Sequence, residues 1–392
     1  MKRFFVKLNL LCFFTVAVAG SLYAQEDVTL IRQSFAAGNL ADKILAVEKA
    51  SLLKEAGCLV FLDSLEFISD NAELLCENGQ MLQLAEKTLS NAVYIRKAEA
   101  IPFIETAFTS FKGDEIRIKA LNALADNGEK NLSTIELLNR STFTALKTYP
   151  SVSKEFISAL VNVLYLADDT SSFDVMFECA ASDFLEESIK SKAKEFISNR
   201  AEDYKSKLLK IISDDIPERR LLALTIILND EKKSDFLKAE IAEKALANTI
   251  KEEGITGSDK ETIIQIQLEA LQELRRVSWT RSAALVTQLF ECAKAEYEEG
   301  LINEDDFSSV IFGLQELAAV NAGKMLSSYL AELNEQTENG NSCSKTVVLA
   351  VINALGLLGD KTAFDNLLYV SYIGYPEEII EASRNALARL KW

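Results

Sequence analysis

The chain has 392 residues, of which 48% are hydrophobic, and only 4 prolines and 15 glycines. Helix interiors exclude proline and glycine, whereas sheet folds and disordered chains need more of both, so the composition predicts an all-α protein. The formal charge of −17 repels phosphate backbones and anionic lipid, which argues against a nucleic-acid partner. The complete lack of histidine removes His metal sites and Ser-His or Cys-His nucleophile pairs; Asp, Glu, Lys and Tyr remain able to do chemistry, but the common constellations are gone and no catalytic residues, metal or cofactor are expected.

Residues 1–24 open with Lys2, Arg3 and Lys7, continue into an apolar run over 8–19, and end on Leu22-Tyr23-Ala24. This is the pattern of a secretory signal, with cleavage expected after Ala24. The run is shorter than the roughly 20 residues a membrane helix needs, and no later stretch reaches that length. The expected product is an exported, periplasmic or extracellular chain with no integral membrane segment. Five cysteines follow the signal (Cys58, Cys76, Cys179, Cys292, Cys343), odd in number and widely spaced, and read as small buried hydrophobes. A Cys58–Cys76 bridge between neighbouring helices is the one pairing that spacing suggests.

From residue 25 onward the sequence reads as helix pairs joined by short turns. A capping helix is expected over 27–37, then helices over 41–55, 59–75, 80–96 and 97–111, the last with Pro102 near its start. Asp114 is expected to cap a helix over 114–126. Further helices are predicted at 133–147, 153–166, 173–179, 185–198, 204–213, 217–228 and 234–251. The remainder falls at 260–276, 281–298, 305–320, 324–333 and in the paired stretch 346–390. Irregular loops are expected near 254–259 and 335–344, and residues 25–392 read as a single array without a domain boundary.

An internal phrase marks the repeat. Asn or Gln stands two residues before Leu at Asn122, Asn162, Gln272, Gln315, Asn353 and Asn385, with steps of 40, 110, 43, 38 and 32 residues. A period near 40 matches the length of a helix pair with its turns. With that period on the page, the chain resembles the HEAT-repeat proteins, in a bacterial, exported form. The resemblance rests on Ile116, Arg117, Ala120, Ala123 and Leu124, in part on Arg220 and Ala223, and on Ala354-Leu355, Leu358-Gly359-Asp360, Ala363 and Leu367-Leu368. The last unit departs from it, with Ile380 at the Arg position, and 168–215 fits poorly. The resemblance implies a right-handed α-solenoid of about 8–10 helix pairs.

In that family the second helix of each pair lines the concave surface. The resemblance therefore makes Asn122, Asn162, Gln272, Gln315, Asn353 and Asn385 a candidate polar stripe for an extended peptide or another protein. The competing reading is one polar residue per helix marking the edge of the core. Arg275, Arg276, Trp279 and Arg281 form a basic-aromatic cluster of the residue types that anchor interfaces, set against a helix C-terminus complemented by arginines. The acidic segment 296–306 lacks the order of an EF-hand loop and is expected to be a solvated turn. The function expected is a non-enzymatic scaffold that binds a protein or peptide, with no prediction of oligomeric state. The alternative is an envelope enzyme or small-molecule binder of lyase-like HEAT type, using carboxylate, Tyr or Lys groups in a groove.

Overall fold

A computed structural model describes residues 27–95, 98–127, 131–252 and 254–391. The expected signal segment and Trp392 lie outside them. The described residues are helical, joined by turns and short 3-10 segments, with no strand. None of these helices is long and apolar enough to cross a membrane.

The chain packs as two compact units, Met1–Ile197 and Ser198–Trp392. The first carries α1 (27–37), α2 (Leu40–Leu53), α3 (Cys58–Leu75), α4 (Gly79–Ser90), α5 (Ile101–Ser110) and α6 (Asp114–Asp126). It continues with α7 (Leu132–Thr148), α8 (Lys154–Ala167) and α9 (Phe173–Ala181), and the division falls inside α10 (Glu187–Asn199). The second unit carries α11 (Lys205–Asp214), α12 (Pro217–Leu228), α13 (Asp235–Thr249), α14 (Ser258–Arg276) and α15 (Ala283–Glu298). Its remaining helices are α16 (Glu304–Leu317), α17 (Ala319–Glu338), α18 (Lys345–Leu358), α19 (Phe364–Tyr369) and α20 (Glu377–Leu387).

Within each unit the helices sort into two layers. In the first, α2, α4, α6 and α8 pack side by side in that order, and α3 packs on α5, α7 on α9. In the second, α12, α14, α16, α18 and α20 form one row, while α11 packs on α13 and α17 on α19. Consecutive helices such as α5 and α6, α13 and α14, or α17 and α18 join the layers.

Short polar residues set the helix starts. Asn39 and Asp42 form a reciprocal capping box on α2, and Asn78, Ser153, Ser234, Asn303 and Ser344 accept from the first free N–H groups of α4, α8, α13, α16 and α18. Pro102 and Pro217 sit in first turns, where the missing donor costs nothing. The interior between the layers is filled by Leu, Ile, Val and Ala with a string of fully buried phenylalanines, among them Phe61, Phe108, Phe156, Phe177, Phe290 and Phe307. Each such ring contributes about 1.5–3 kcal/mol by leaving water.

Five expectations need correction. Gly113, not Asp114, occupies the N-cap of α6; the Asp114 carboxylate instead accepts from the Ser153 N–H at 2.8 Å and so ties α6 to the start of α8. The loop expected over 335–344 begins later, because α17 runs through Glu338, and the loop over 254–259 closes earlier, at Ser258. The helix expected at 324–333 is therefore twice as long, and 80–111 is more broken than expected, with α4 ending at Ser90 and α5 starting at Ile101.

Side-chain links between non-consecutive helices fall at similar sequence separations. The hydrogen bonds that tie a helix to its counterpart in the next pair join residues 29 to 41 apart. They include Lys119 to Ser90, Arg32 to Asp63, Asn248 to Ser213, Asn334 to Asn366 and Arg275 to Glu316.

Candidate functional site

The Asn/Gln positions all fall on even-numbered helices: Asn122 on α6, Asn162 on α8, Gln272 on α14, Gln315 on α16, Asn353 on α18 and Asn385 on α20. The local cause is the same each time. In α18, Val348, Val351, Ile352, Ala354 and Leu355 are buried, which leaves Asn353 on a narrow arc with the exposed Leu357 and the half-buried Leu349. Asn122, Gln272 and Asn385 are likewise exposed, and Asn162 and Gln315 partly so. The side chain of Asn162 accepts a hydrogen bond from Lys192 at 2.9 Å. Because α14, α16, α18 and α20 are successive neighbours, four of the six positions belong to one row in the second unit, while Asn122 and Asn162 share a row in the first.

A groove of about 590 Å³ opens on that row between α14 and α16. Gln272 lies in its wall beside Leu268, Arg275 and Ser309, and Glu261, Glu269 and Asp306 give its rim an acidic character. Gln315, Asn353 and Asn385 are not part of that wall.

The basic-aromatic cluster separates in two. Arg275 turns toward α16, where its guanidinium donates to both carboxylate oxygens of Glu316, at 2.8 and 3.0 Å, and to Ser309. Arg276, Trp279 and Arg281 turn toward α13. Arg276 donates to Glu273 and Asp235. Trp279 donates its indole N–H to Glu243 at 3.0 Å and meets Phe236 edge to face. The Arg281 guanidinium pairs with the same Glu243 carboxylate and lies 5.0 Å from the Trp279 ring. Every cation of the cluster is thus committed to a carboxylate of its own chain, so these residues join neighbouring helix pairs. Apart from Glu273, three residues from Arg276, the carboxylate partners lie 36 to 41 residues away in an acidic chain with many candidates.

Glu243 gives this junction a pH dependence. Burial opposes ionisation of its carboxyl, but hydrogen bonds from Arg281 and Trp279, with the Arg281 charge, prevail and hold its pKa below the ordinary glutamate value. A carboxyl depressed in the folded state stabilises the fold above its unfolded pKa of about 4.3, and that contribution is lost as the pH falls through the folded value. Glu243→Gln is therefore expected to lower the urea midpoint at pH 7 and to leave it nearly unchanged near pH 3. An equal loss at both pH values would show that the charge is not what matters.

The acidic segment 296–306 is not uniformly solvated. Glu296 is 5% exposed and pairs with Lys260, while Asn303 caps α16 through the N–H groups of Asp305 and Asp306. No group of three or more Cys, Asp or Glu placed to hold a metal ion occurs among the described residues. Gly359 ends α18 in the left-handed region at φ 67°, and Gly356 lets α18 approach Ala386 of α20; both serve helix packing. Cys58, Cys76, Cys179, Cys292 and Cys343 carry free thiols, so the Cys58–Cys76 bridge does not form, and burial pushes the Cys179 thiol up to about 12. Compared with known proteins, the chain matches no family model, and no curated protein matches it.

Proposed function

We propose that this chain is an exported, non-enzymatic scaffold, a right-handed HEAT-like α-solenoid that binds a protein or peptide along its even-numbered helices. The observation that carries the reading is the row α14–α16–α18–α20, which exposes Gln272, Gln315, Asn353 and Asn385 and holds the groove beside Gln272. Amide side chains at that spacing can donate to and accept from an extended backbone while the surrounding apolar positions stay buried. The layered order within each unit and the links of 29 to 41 residues support a repeat of HEAT length. The composition of residues 1–24 supports export.

Two measurements test the reading. Amino-terminal sequencing of the protein from its native host is expected to begin at Gln25; an intact Met1 on the mature protein would overturn export by cleavage. Capture from envelope extract by the immobilised full chain is expected to recover a protein that Gln272→Arg and Asn353→Arg no longer retain. Glu335→Arg, an exposed change on α17 in the other layer, should leave capture intact. Recovery of no partner, or equal recovery by all three variants, would count against the even-row surface.

A further inference from the structure

The first unit contains a cavity of about 300 Å³ between α6, α7 and α8 that neither the sequence phrase nor the α14–α16 groove involves. Two guanidiniums face it, Arg117 from α6 and Arg140 from α7, together with the hydroxyls of Ser141 and Thr144 and the apolar side chains of Val152 and Phe156. In a chain of charge −17, Arg117 has one carboxylate at the edge of ion-pair range, Asp114 at 3.9 Å, and the exposed Arg140 has none among the described residues.

Arg117 is fixed by stacking. Its guanidinium carbon lies 4.0 Å from the centre of the Phe156 ring and 5.1 Å from that of Phe108. Stacking holds the plane of the group while leaving its edge of N–H donors free. The nearest carboxylate, Asp114, is 3.9 Å away, beyond hydrogen-bond reach, and accepts instead from the Ser153 N–H. No described residue accepts a hydrogen bond from the Arg117 guanidinium. Burial pushes its pKa down, which marks a charge whose lost hydration the protein only partly replaces. Arg140 makes one long hydrogen bond, 3.4 Å to the carbonyl of Glu136 in its own helix, and has no carboxylate in ion-pair range among the described residues. Thr144 donates back to the Arg140 carbonyl, which leaves its hydroxyl oxygen able to accept, and the Ser141 hydroxyl has no hydrogen-bond partner among the described residues.

We propose that this cavity binds a carboxylate, held edge-on by Arg117 and closed from the α7 side by Arg140 and Ser141. A planar carboxylate matches the fork of a stacked guanidinium, and two parallel N–H···O bonds give the strongest pairing available to it. The apolar wall of Val152, Ala145 and Phe156 suits the carbon chain attached to a carboxylate. A phosphate, oxygenated on every side, would leave that wall against polar atoms. Asp114, 3.9 Å from Arg117, opposes an anion there, its charge partly taken up by the Ser153 N–H, while acidic residues further than about 8 Å are screened at physiological ionic strength. The carboxylate can come from a free organic acid or from an acidic group of a peptide. The proposal requires neither the Asn/Gln row nor the α14–α16 groove.

The test titrates the full chain calorimetrically with glutarate, with the uncharged glutaramide and with inorganic phosphate. Glutarate should bind and glutaramide should not, and Arg140→Gln should weaken glutarate by about ten- to a hundredfold, the weight of a hydrogen bond to a charged group. Arg140 is exposed, so its variant should melt like the parent protein and remain a valid test even if Arg117→Lys is poorly folded. A peptide with a free terminal carboxylate, compared with its amide, identifies the source. Tighter binding than glutarate, lost on amidation, assigns a peptide; binding no tighter than glutarate assigns a free acid; either supports the carboxylate chemistry. No uptake of millimolar glutarate, equal uptake of glutaramide, stronger binding of phosphate, or an unaffected Arg140→Gln would each overturn the proposal.

Discussion

Phe307→Ala is expected to destabilise the second unit by about 3–5 kcal/mol, the cost of removing a buried ring and leaving a cavity. Phe307 is the fourth residue of α16 and is fully buried. Its ring stacks on Tyr297 at 4.9 Å and on Phe290 at 5.9 Å, and meets Tyr329 edge to face at 5.7 Å. These partners come from α15 and α17, so one side chain joins three successive helices, and none of them can close the gap without moving the other two. Phe307→Leu keeps most of the apolar volume and is expected to cost less than about 1.5 kcal/mol. Urea unfolding followed by tryptophan fluorescence checks this, since Trp279 lies in the same unit. Equal midpoints for the Ala and Leu variants would show that the aromatic cluster carries no special weight.

Lys260→Met should be nearly as damaging, at about 3 kcal/mol, although it removes only a partly exposed lysine. The Glu296 side chain is 6% exposed and its partner Lys260 24%. Removing the cation leaves a carboxylate buried without compensation, and the loss of one partner from such a pair costs about 3–5 kcal/mol. Water reaching the lysine side places the estimate at the lower end of that range. The double variant Lys260→Met with Glu296→Leu should recover most of the loss, because an apolar pair of similar volume requires no desolvated charge. A double-mutant cycle on urea midpoints measures the coupling; strictly additive effects would show that the two groups act independently.

Much of the fold was legible from local chemistry. The start of α12 at Pro217, the break at Asn78-Gly79 and the span of α14 to Arg276 follow from proline, glycine and capping residues, which act within a few positions of themselves. The misreadings occur where a neighbouring helix decides. Residues 335–338 look like loop, yet they complete α17, near which Asn334 donates to the Asn366 carbonyl and Tyr369 donates to Glu338. Gly323 looks like a helix boundary but lies inside α17, packed against Asp360.

The candidate sites show the same division. The Asn/Gln positions were visible because a 40-residue recurrence needs no knowledge of contacts. Arg117 and Arg140 were not seen as a pair, because they come from different helices and only folding brings them to one cavity. The four-residue cluster from Arg275 to Arg281 looked like a single patch, but helix geometry sends Arg275 one way and the other three the opposite way.

The regular spacing of the polar links has a kinetic consequence. Closing a flexible segment costs about (3/2)RT ln n in entropy, so contacts made over 29 to 41 residues form at modest cost and at any stage of chain growth. At typical elongation of roughly 5–20 residues per second, a 40-residue helix pair takes about 2–8 s to emerge. Helical folds of low contact order settle in microseconds to milliseconds. Each new pair is thus expected to dock on its predecessor before the next exists, so that the chain folds vectorially, with little apolar surface waiting for a partner still to be synthesised.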